Sequence, residues 1–497
     1  MNTAALALIA SAAIATGPQD ADTRAWWRLT SELSSDAMEG RDTGSPGYDR
    51  AAAVVARRLA AAGLKPIGDQ GGWYQRMALE QVQITRATVG VGTTPMRFLH
   101  DLTAAPLSVP ASLDLPIAYR GYCAAGALGD VRGKLVVCHG SRRPGMPTAQ
   151  EQIDAIAAAG GRAAATIADP GFTIEPPRWP YAYARTVWIA GSPPTPPKIA
   201  IFTLNADALG KLTGGSGRNA PALIQAGSRG APLPSFDVPG RFKASFTLQR
   251  RKLQSANVLG LLPGTDPALA SQPMVLTAHL DGYGYGEPVR GDSLYNGTLD
   301  DAAYVALLVR LVERRGGQGF RRPVVIAAVT GEEKGLHGSR WLAQHWPSEI
   351  AKPVGNINLD QLRPIFPLKL LTVHGLNDSS LGDDARKVAE GLGIAVQTDP
   401  EPQRNLLQRT DHWNFMQAGV PAVNFVFGYK PGSESERIYR RWYQQGYHRP
   451  QDDLAQAIDW QAARDFNRFF YGLVSRVADQ ERAPAWNASS PLAPRPR

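Results

Sequence analysis

Cysteine is nearly absent. The 497-residue chain has only Cys123 and Cys138, which leaves room for one disulfide in an oxidising compartment or for two buried free thiols. Neither lies near the acids and imidazoles discussed below, which argues against a metal role for them. Charge of one sign is not concentrated either. The formal net charge is +9, but the basic residues are scattered and no tract of five or more occurs, so no nucleic-acid partner is expected. Long apolar runs are also missing, apart from a stretch from Ala4 to Ala15 that is too short to span a bilayer. No stable membrane insertion is expected. Ala13-Ile14-Ala15 fits the small-x-small cleavage pattern of a secretory signal, although no Lys or Arg precedes the apolar stretch. Residues 1–15 therefore read as a signal peptide and the protein as exported, periplasmic or secreted. No internal repeat is evident.

What is present is the composition of a folded globular chain, with 43% hydrophobic and 20% charged residues. The length suggests two or three domains. Residues 24–35 and 47–63 read as helices, the second opened by Pro46-Gly47 and closed by Gly63. Between them lies the turn-rich loop Glu39-Gly40-Arg41-Asp42-Thr43-Gly44-Ser45. From about residue 96 short apolar runs alternate with Pro and Gly, with one helix from Ile153 to Ala159. This reads as a β-rich module ending near 239. From about 245 the pattern becomes strand–helix–strand. Strands are expected at 258–262, 274–278, 324–329, 357–359, 370–373 and 423–427, and helices at 301–315, 336–345 and 457–477. Continuous apolar strands alternating with helices predict an α/β fold, a mostly parallel mixed sheet with helices on both faces. The Pro-rich tail, 481–497, is expected to be disordered.

The informative residues stand at the ends of these strands. His279 and Asp281 follow 274–278, Glu332-Glu333 follows 324–329, and Asp360 follows 357–359. Asp300 and His448 complete the set. Ligands gather at the carboxyl ends of strands in open α/β sheets, and zinc accepts imidazole nitrogen and carboxylate oxygen. A carboxylate has two oxygens and can serve two ions. Two dications against three ligating carboxylates leave one positive charge, which a hydroxide would neutralise. A further carboxylate outside the ligand set can then act as general base. Asp281, two residues after His279, is placed to hold that ring's other nitrogen.

These motifs resemble the co-catalytic di-zinc aminopeptidases of peptidase clan MH, which are related to glutamate carboxypeptidase, glutaminyl cyclase and the transferrin receptor ectodomain. The resemblance rests on Ala278-His279-Leu280-Asp281, Gly297-Thr298-Leu299-Asp300-Asp301, Gly331-Glu332-Glu333, Asn358-Leu359-Asp360 and Tyr447-His448. It implies two Zn2+, with Co2+ or Mn2+ as substitutes. One ion would be held by His279, Asp300 and Asp360 and the other by Asp300, Glu333 and His448, so Asp300 would bridge them. It further implies Glu332 as general base, a supporting role for Asp281 and a cis bond between Asp300 and Asp301; some carboxypeptidase relatives use a Tyr beside the last ligand to bind the oxyanion, which leaves Tyr447 either that role or aromatic packing. Asp411 resembles a family position near the site. The segment around Gly133-Lys134-Leu135-Val136-Val137 resembles a protease-associated insert. The implied organisation is residues 22–95 and 240–480 as the peptidase domain, with 96–239 inserted. Ala303-Tyr304 departs from the family's Ser-Gly and is expected to narrow the space beside the metals.

The expected activity is a metallo-aminopeptidase acting on short peptides. Three alternatives stand beside it: a carboxypeptidase of the same fold, a glutaminyl cyclase-like acyltransferase with one zinc, and a non-catalytic receptor-like relative. Taken singly, each residue has a plainer reading. Glu-Glu pairs are usually solvated, and Asp301 can cap its helix. His100, His139, His337, His345 and His374 read as packed or surface residues, and His412 is ambiguous. The ordered set outweighs these separate readings. Side-chain specificity and oligomeric state are not encoded legibly.

Overall fold

The computed structural model describes residues 17–494 apart from 19, 142, 169–178 and 361. The segment read as a signal peptide lies outside the described residues, as do 495–497 of the tail. One sheet carries most of the chain. Its order across the catalytic part is Ala395–Gln397, Leu370–His374, Ala422–Phe427, Gly355–Asn358, Met274–His279, Val324–Val329 and Ser235–Leu262. The strands from Ala422–Phe427 through Val324–Val329 run parallel. Leu370–His374 and Ser235–Leu262 flank them antiparallel. The expected mixed, mostly parallel sheet is what forms.

Alternation along the central strands explains the two layers of helices. Leu276, Ala278, Ile326 and Ala328 face a core built with the helices Ala21–Leu33, Pro46–Ala61, Ala303–Arg315 and Trp460–Asp479. Val275, Val325, Ala327 and Val329 face the opposite side, against Leu342, Phe415 and Met416. Each strand is therefore apolar on both faces, which produces the unbroken apolar runs in the sequence.

The strand Ser235–Leu262 is far longer than the 258–262 segment legible in the sequence. It pairs along its length with Tyr74–Val91 and also with Ser112–Arg120. Beyond Ser112–Arg120 the sheet continues through the parallel strands Leu135–His139, Ala163–Ala168 and Ala200–Asn205. Residues 247–252 are exposed on every side, so this stretch carries no hydrophobic alternation to betray a strand. The tail also differs from expectation. Ser380 N donates to Ala485 O at 2.9 Å and Trp486 Nε1 to Gly419 O at 2.8 Å, which docks 485–486 on the body despite the prolines around it. Among the described residues no helix is long and apolar enough to cross a membrane.

Cys123 and Cys138 form a disulfide with Cα atoms 5.5 Å apart. The closed loop spans a sequence separation of 15, for which lost unfolded-state entropy is worth about 3 kcal/mol. The double variant Cys123→Ala, Cys138→Ala is expected to lose about that much unfolding free energy in urea titration. A loss under about 0.5 kcal/mol would show that the bond contributes little.

Candidate metal centre

The sheet brings the strand-end residues together. His279 is the last residue of Met274–His279, and Asp360 lies two positions beyond Gly355–Asn358. Glu332 and Glu333 sit in the loop after Val324–Val329. Asp300 lies in the irregular turn Thr298–Ala302 that leads into the helix Ala303–Arg315, and the Asp300–Asp301 bond is cis. His448 arrives from the turn after the helix Glu434–Gln445, with left-handed backbone at φ 52°.

Their side chains converge. Single donor atoms from His279, Asp300 and Asp360 lie within 4.8 Å of one another, as do those from Asp300, Glu333 and His448. Asp300 belongs to both groups. His279 Nε2 is 3.4 Å from Asp300 Oδ1, His448 Nε2 is 3.5 Å from Asp300 Oδ2, and His448 Nε2 is 3.6 Å from Glu333 Oε2. Ligands around a tetrahedral zinc at about 2.0–2.2 Å stand roughly 3.4 Å apart, so these spacings suit donors arranged around an ion. A third group, His279 with Glu332 and Glu333, meets the same distance limit.

The polar accounting also fits a cation. Asp281, Asp300, Asp301, Glu333, Asp360 and Asp411 are buried around this point, and Glu332 is nearly so. Asp300 Oδ2 and Glu333 Oε1 accept no hydrogen bond from any described residue. Buried carboxylates without enough cations are costly. Burial and its acidic neighbours push Glu332 well above the usual carboxylate range, and burial raises Glu333 to about 7. His279 is pushed down by burial but raised well above its ordinary value by Glu332, Asp300, Asp301 and Asp360. Burial raises Asp300, but Arg363 with the two histidines holds it below the carboxylate range. The fully buried Arg363 places Nη2 3.4 Å from Asp300 Oδ2. Its Nη1 donates to Leu299 O at 2.9 Å.

The surrounding shell differs from expectation in three places. His279 Nδ1 meets the main-chain carbonyl of Asp281 at 3.0 Å, whereas the Asp281 carboxylate is 3.9 Å away. That carboxylate instead accepts from Glu332 N at 3.1 Å and Thr43 Oγ1 at 2.9 Å, tying the Glu332 loop to the N-terminal segment. Asp301 does not cap its helix; its Oδ2 accepts from His279 N at 3.2 Å. Tyr304 does not narrow the site, because its ring is buried against Phe466 at 6.0 Å. Tyr447 stacks on His448 with centroids 3.5 Å apart and lines the cavity above the acids. Asp411 is fully buried and raised to about 7 by desolvation.

The other histidines stay outside the three groups, among the described residues. His139, His337 and His345 hydrogen-bond main-chain oxygens, His100 pairs with Asp101, and His412 meets Thr410 at 2.5 Å. Sequence reasoning missed Arg41. Fully buried, it donates to the carbonyls of Leu33, Leu280, Asn296 and Gly297 at 2.7–2.9 Å. It also missed Tyr183, whose Oη lies 2.8 Å from His448 Nδ1.

Above the centre is a cavity of about 450 Å³. Tyr183, Tyr283 and Tyr447 form aromatic walls, Glu332 and Glu333 lie at its acidic side, and Arg340 and Arg409 also line it. That size and mixture suit a ligand site.

The mixed sheet is a fold found in solved aminopeptidases. The structure superposes on an aminopeptidase from Aneurinibacillus sp. strain AM-1 with a TM-score of 0.60 and 16% identity, covering 93% of this chain and 95% of that one. It superposes equally on BSAP, a zinc aminopeptidase from Bacillus subtilis, with a TM-score of 0.61, 17% identity, and 93% and 96% coverage. At such identities the likeness is one of fold. The family model for Peptidase family M28 matches residues 257–474. The chain is also 27% identical over 206 residues to a "Probable zinc metalloprotease" of Pyrenophora tritici-repentis. That match takes in 34% of this chain and 41% of the relative, so the chain spans about two fifths of that relative's length.

Proposed function

We propose that this protein is a zinc-dependent exopeptidase, most readily an aminopeptidase that removes the N-terminal residue of short peptides. The observation that carries the reading is the pair of donor groups sharing Asp300. His279, Asp300 and Asp360 would hold one zinc, and Asp300, Glu333 and His448 the other. Zinc bound there supplies Lewis-acid polarisation of a carbonyl and a lowered pKa for water. The chain does the rest. Glu332, at the cavity wall with Oε2 4.0 Å from His279 Nε2, takes a proton from the attacking water as the new C–O bond forms. It returns that proton to the amine nitrogen as the C–N bond breaks, so the carboxylate is regenerated. Asp281 aims Glu332 through the backbone N–H it accepts. Tyr447 supplies a hydroxyl for the developing oxyanion. The 96–239 segment is read as a protease-associated insert, and export is supported by the Cys123–Cys138 disulfide.

Arg340 and Arg409 in the cavity lining favour a second reading, a carboxypeptidase that holds a terminal carboxylate. One panel separates the two. Amino-acid amides with free N-termini are expected to be cleaved, and N-acetylated peptides spared; cleavage of the acetylated set alone selects the carboxypeptidase. Chelation is expected to abolish turnover, and added zinc or cobalt to restore it. Turnover that survives exhaustive chelation would remove the metal from the reaction. Zinc counting by native mass spectrometry tests the stoichiometry of two, against the single ion of a cyclase-like acyltransferase.

A further inference from the structure

The 96–239 segment does more than flank the site. We infer that its Tyr183 is a positioning residue of the metal centre, fixing the ring of His448 so that Nε2 faces the ion shared with Asp300 and Glu333. The inference rests on the zinc reading above.

The geometry is direct. His448 turns Nε2 toward Asp300 Oδ2 at 3.5 Å and Glu333 Oε2 at 3.6 Å, while Nδ1 meets Tyr183 Oη at 2.8 Å. An imidazole that ligates through Nε2 must carry its proton on Nδ1, so Nδ1–H donates and the tyrosine oxygen accepts. That bond fixes the ring angle, and the hydroxyl accommodates the Nδ1–H tautomer because its oxygen can accept. The His448 backbone is left-handed, and its ring is otherwise confined by stacking on Tyr447 at 3.5 Å and by the edge of Tyr283 at 4.5 Å. Tyr283 Oη also lies 3.4 Å from Nε2, on the side of the ring that faces the acids, while Tyr183 meets the opposite nitrogen.

Tyr183 is itself held from several directions. It lies in the short turn Tyr181–Ala184, between two attachments of the segment to the catalytic part. Before it, Pro180 bridges Gly286 and Glu287 N donates to Trp179 O at 3.2 Å. After it, Arg185 pairs with Asp42, and His337 Nε2 hydrogen-bonds Val187 O at 2.9 Å. Its ring packs edge-on to Tyr283 at 5.4 Å. These contacts set the phenol oxygen against His448 independently of any ion.

The test is zinc affinity of the full-length protein, read by competition with a chromophoric chelator, for the wild type and Tyr183→Phe. The variant removes one oxygen and keeps the ring packing. One of two zinc ions is expected to bind about 10- to 100-fold more weakly, while the other keeps wild-type affinity. The cobalt-substituted variant is expected to show an altered visible spectrum for one ion. Unchanged affinities for both ions would falsify the positioning role. Equal weakening of both ions would overturn it too, by showing a general effect on the fold. A wild type that takes up no zinc would instead overturn the zinc reading, and the inference with it.

Discussion

Replacing Glu332 with glutamine is expected to leave both zinc ions bound and to lower kcat by about 10²–10⁴-fold. The amide has nearly the shape of the carboxylate but cannot accept the proton of the attacking water or pass it to the leaving amine. None of the residues assigned to either ion is altered. The measurement carries a second outcome because His279, Glu332 and Glu333 also form a compact donor group. If Glu332 ligates, the variant will lose zinc along with turnover. If it is the base, zinc content will stay at wild type while kcat falls. Metal content and kcat measured on one preparation separate the roles, and a variant with near-normal kcat removes Glu332 from the proton path altogether.

The second large effect is expected at Arg41→Met. This guanidinium is 0% exposed and donates to four carbonyls, those of Leu33, Leu280, Asn296 and Gly297. Two of these flank the loops that deliver His279 and Asp300. Gly297 O also accepts from Ala302 N at 3.3 Å, but each of the other acceptors left unpaired costs about 1–3 kcal/mol, so the variant is expected to lose about 3 kcal/mol or more of unfolding free energy. Zinc retention should fall as well, because both loops lose their common tie. Urea unfolding of the chelator-treated protein isolates the structural part, and a loss under about 1 kcal/mol would show that water takes over those acceptors. The residue beside it is constrained for a related reason. Gly40 has φ 64°, and a Cβ there would stand 2.5 Å from Tyr295 O, so the turn that aims Arg41 has no room for a side chain.

The contrast between these predictions shows what a sequence discloses. That His279, Glu332, Glu333 and Asp360 would meet could be read in advance because they follow neighbouring strands of one sheet, whereas Asp300 and His448 lie on turns beside helices and were marked only by the motifs that carry them. Arg41 and Tyr183 carried no comparable mark. The partners of Arg41 are mostly main-chain carbonyls, which any sequence provides, and Tyr183 meets His448 across 265 positions. Asp281 was recognised, but the target of its carboxylate was not. A two-residue spacing suggests the neighbouring ring, whereas the loop geometry hands that ring a backbone carbonyl and frees the carboxylate for Glu332 N and Thr43. The central strands were legible from their apolar runs. The ladder of 235–262 with 74–91 was not, because exposure of both faces over 247–252 erases the alternation that marks a strand.

That ladder has a mechanical meaning. Ser235–Leu262 bonds to Ser112–Arg120 near one end, to Val324–Val329 near the other, and to Tyr74–Val91 between. It works as a girder shared by both halves of the molecule. A swivel of the 96–239 segment away from the cavity would have to shear backbone bonds along that girder and not merely bend a connecting loop. Entry to the cavity therefore falls to side chains and short turns at its mouth, with the two halves held in fixed register.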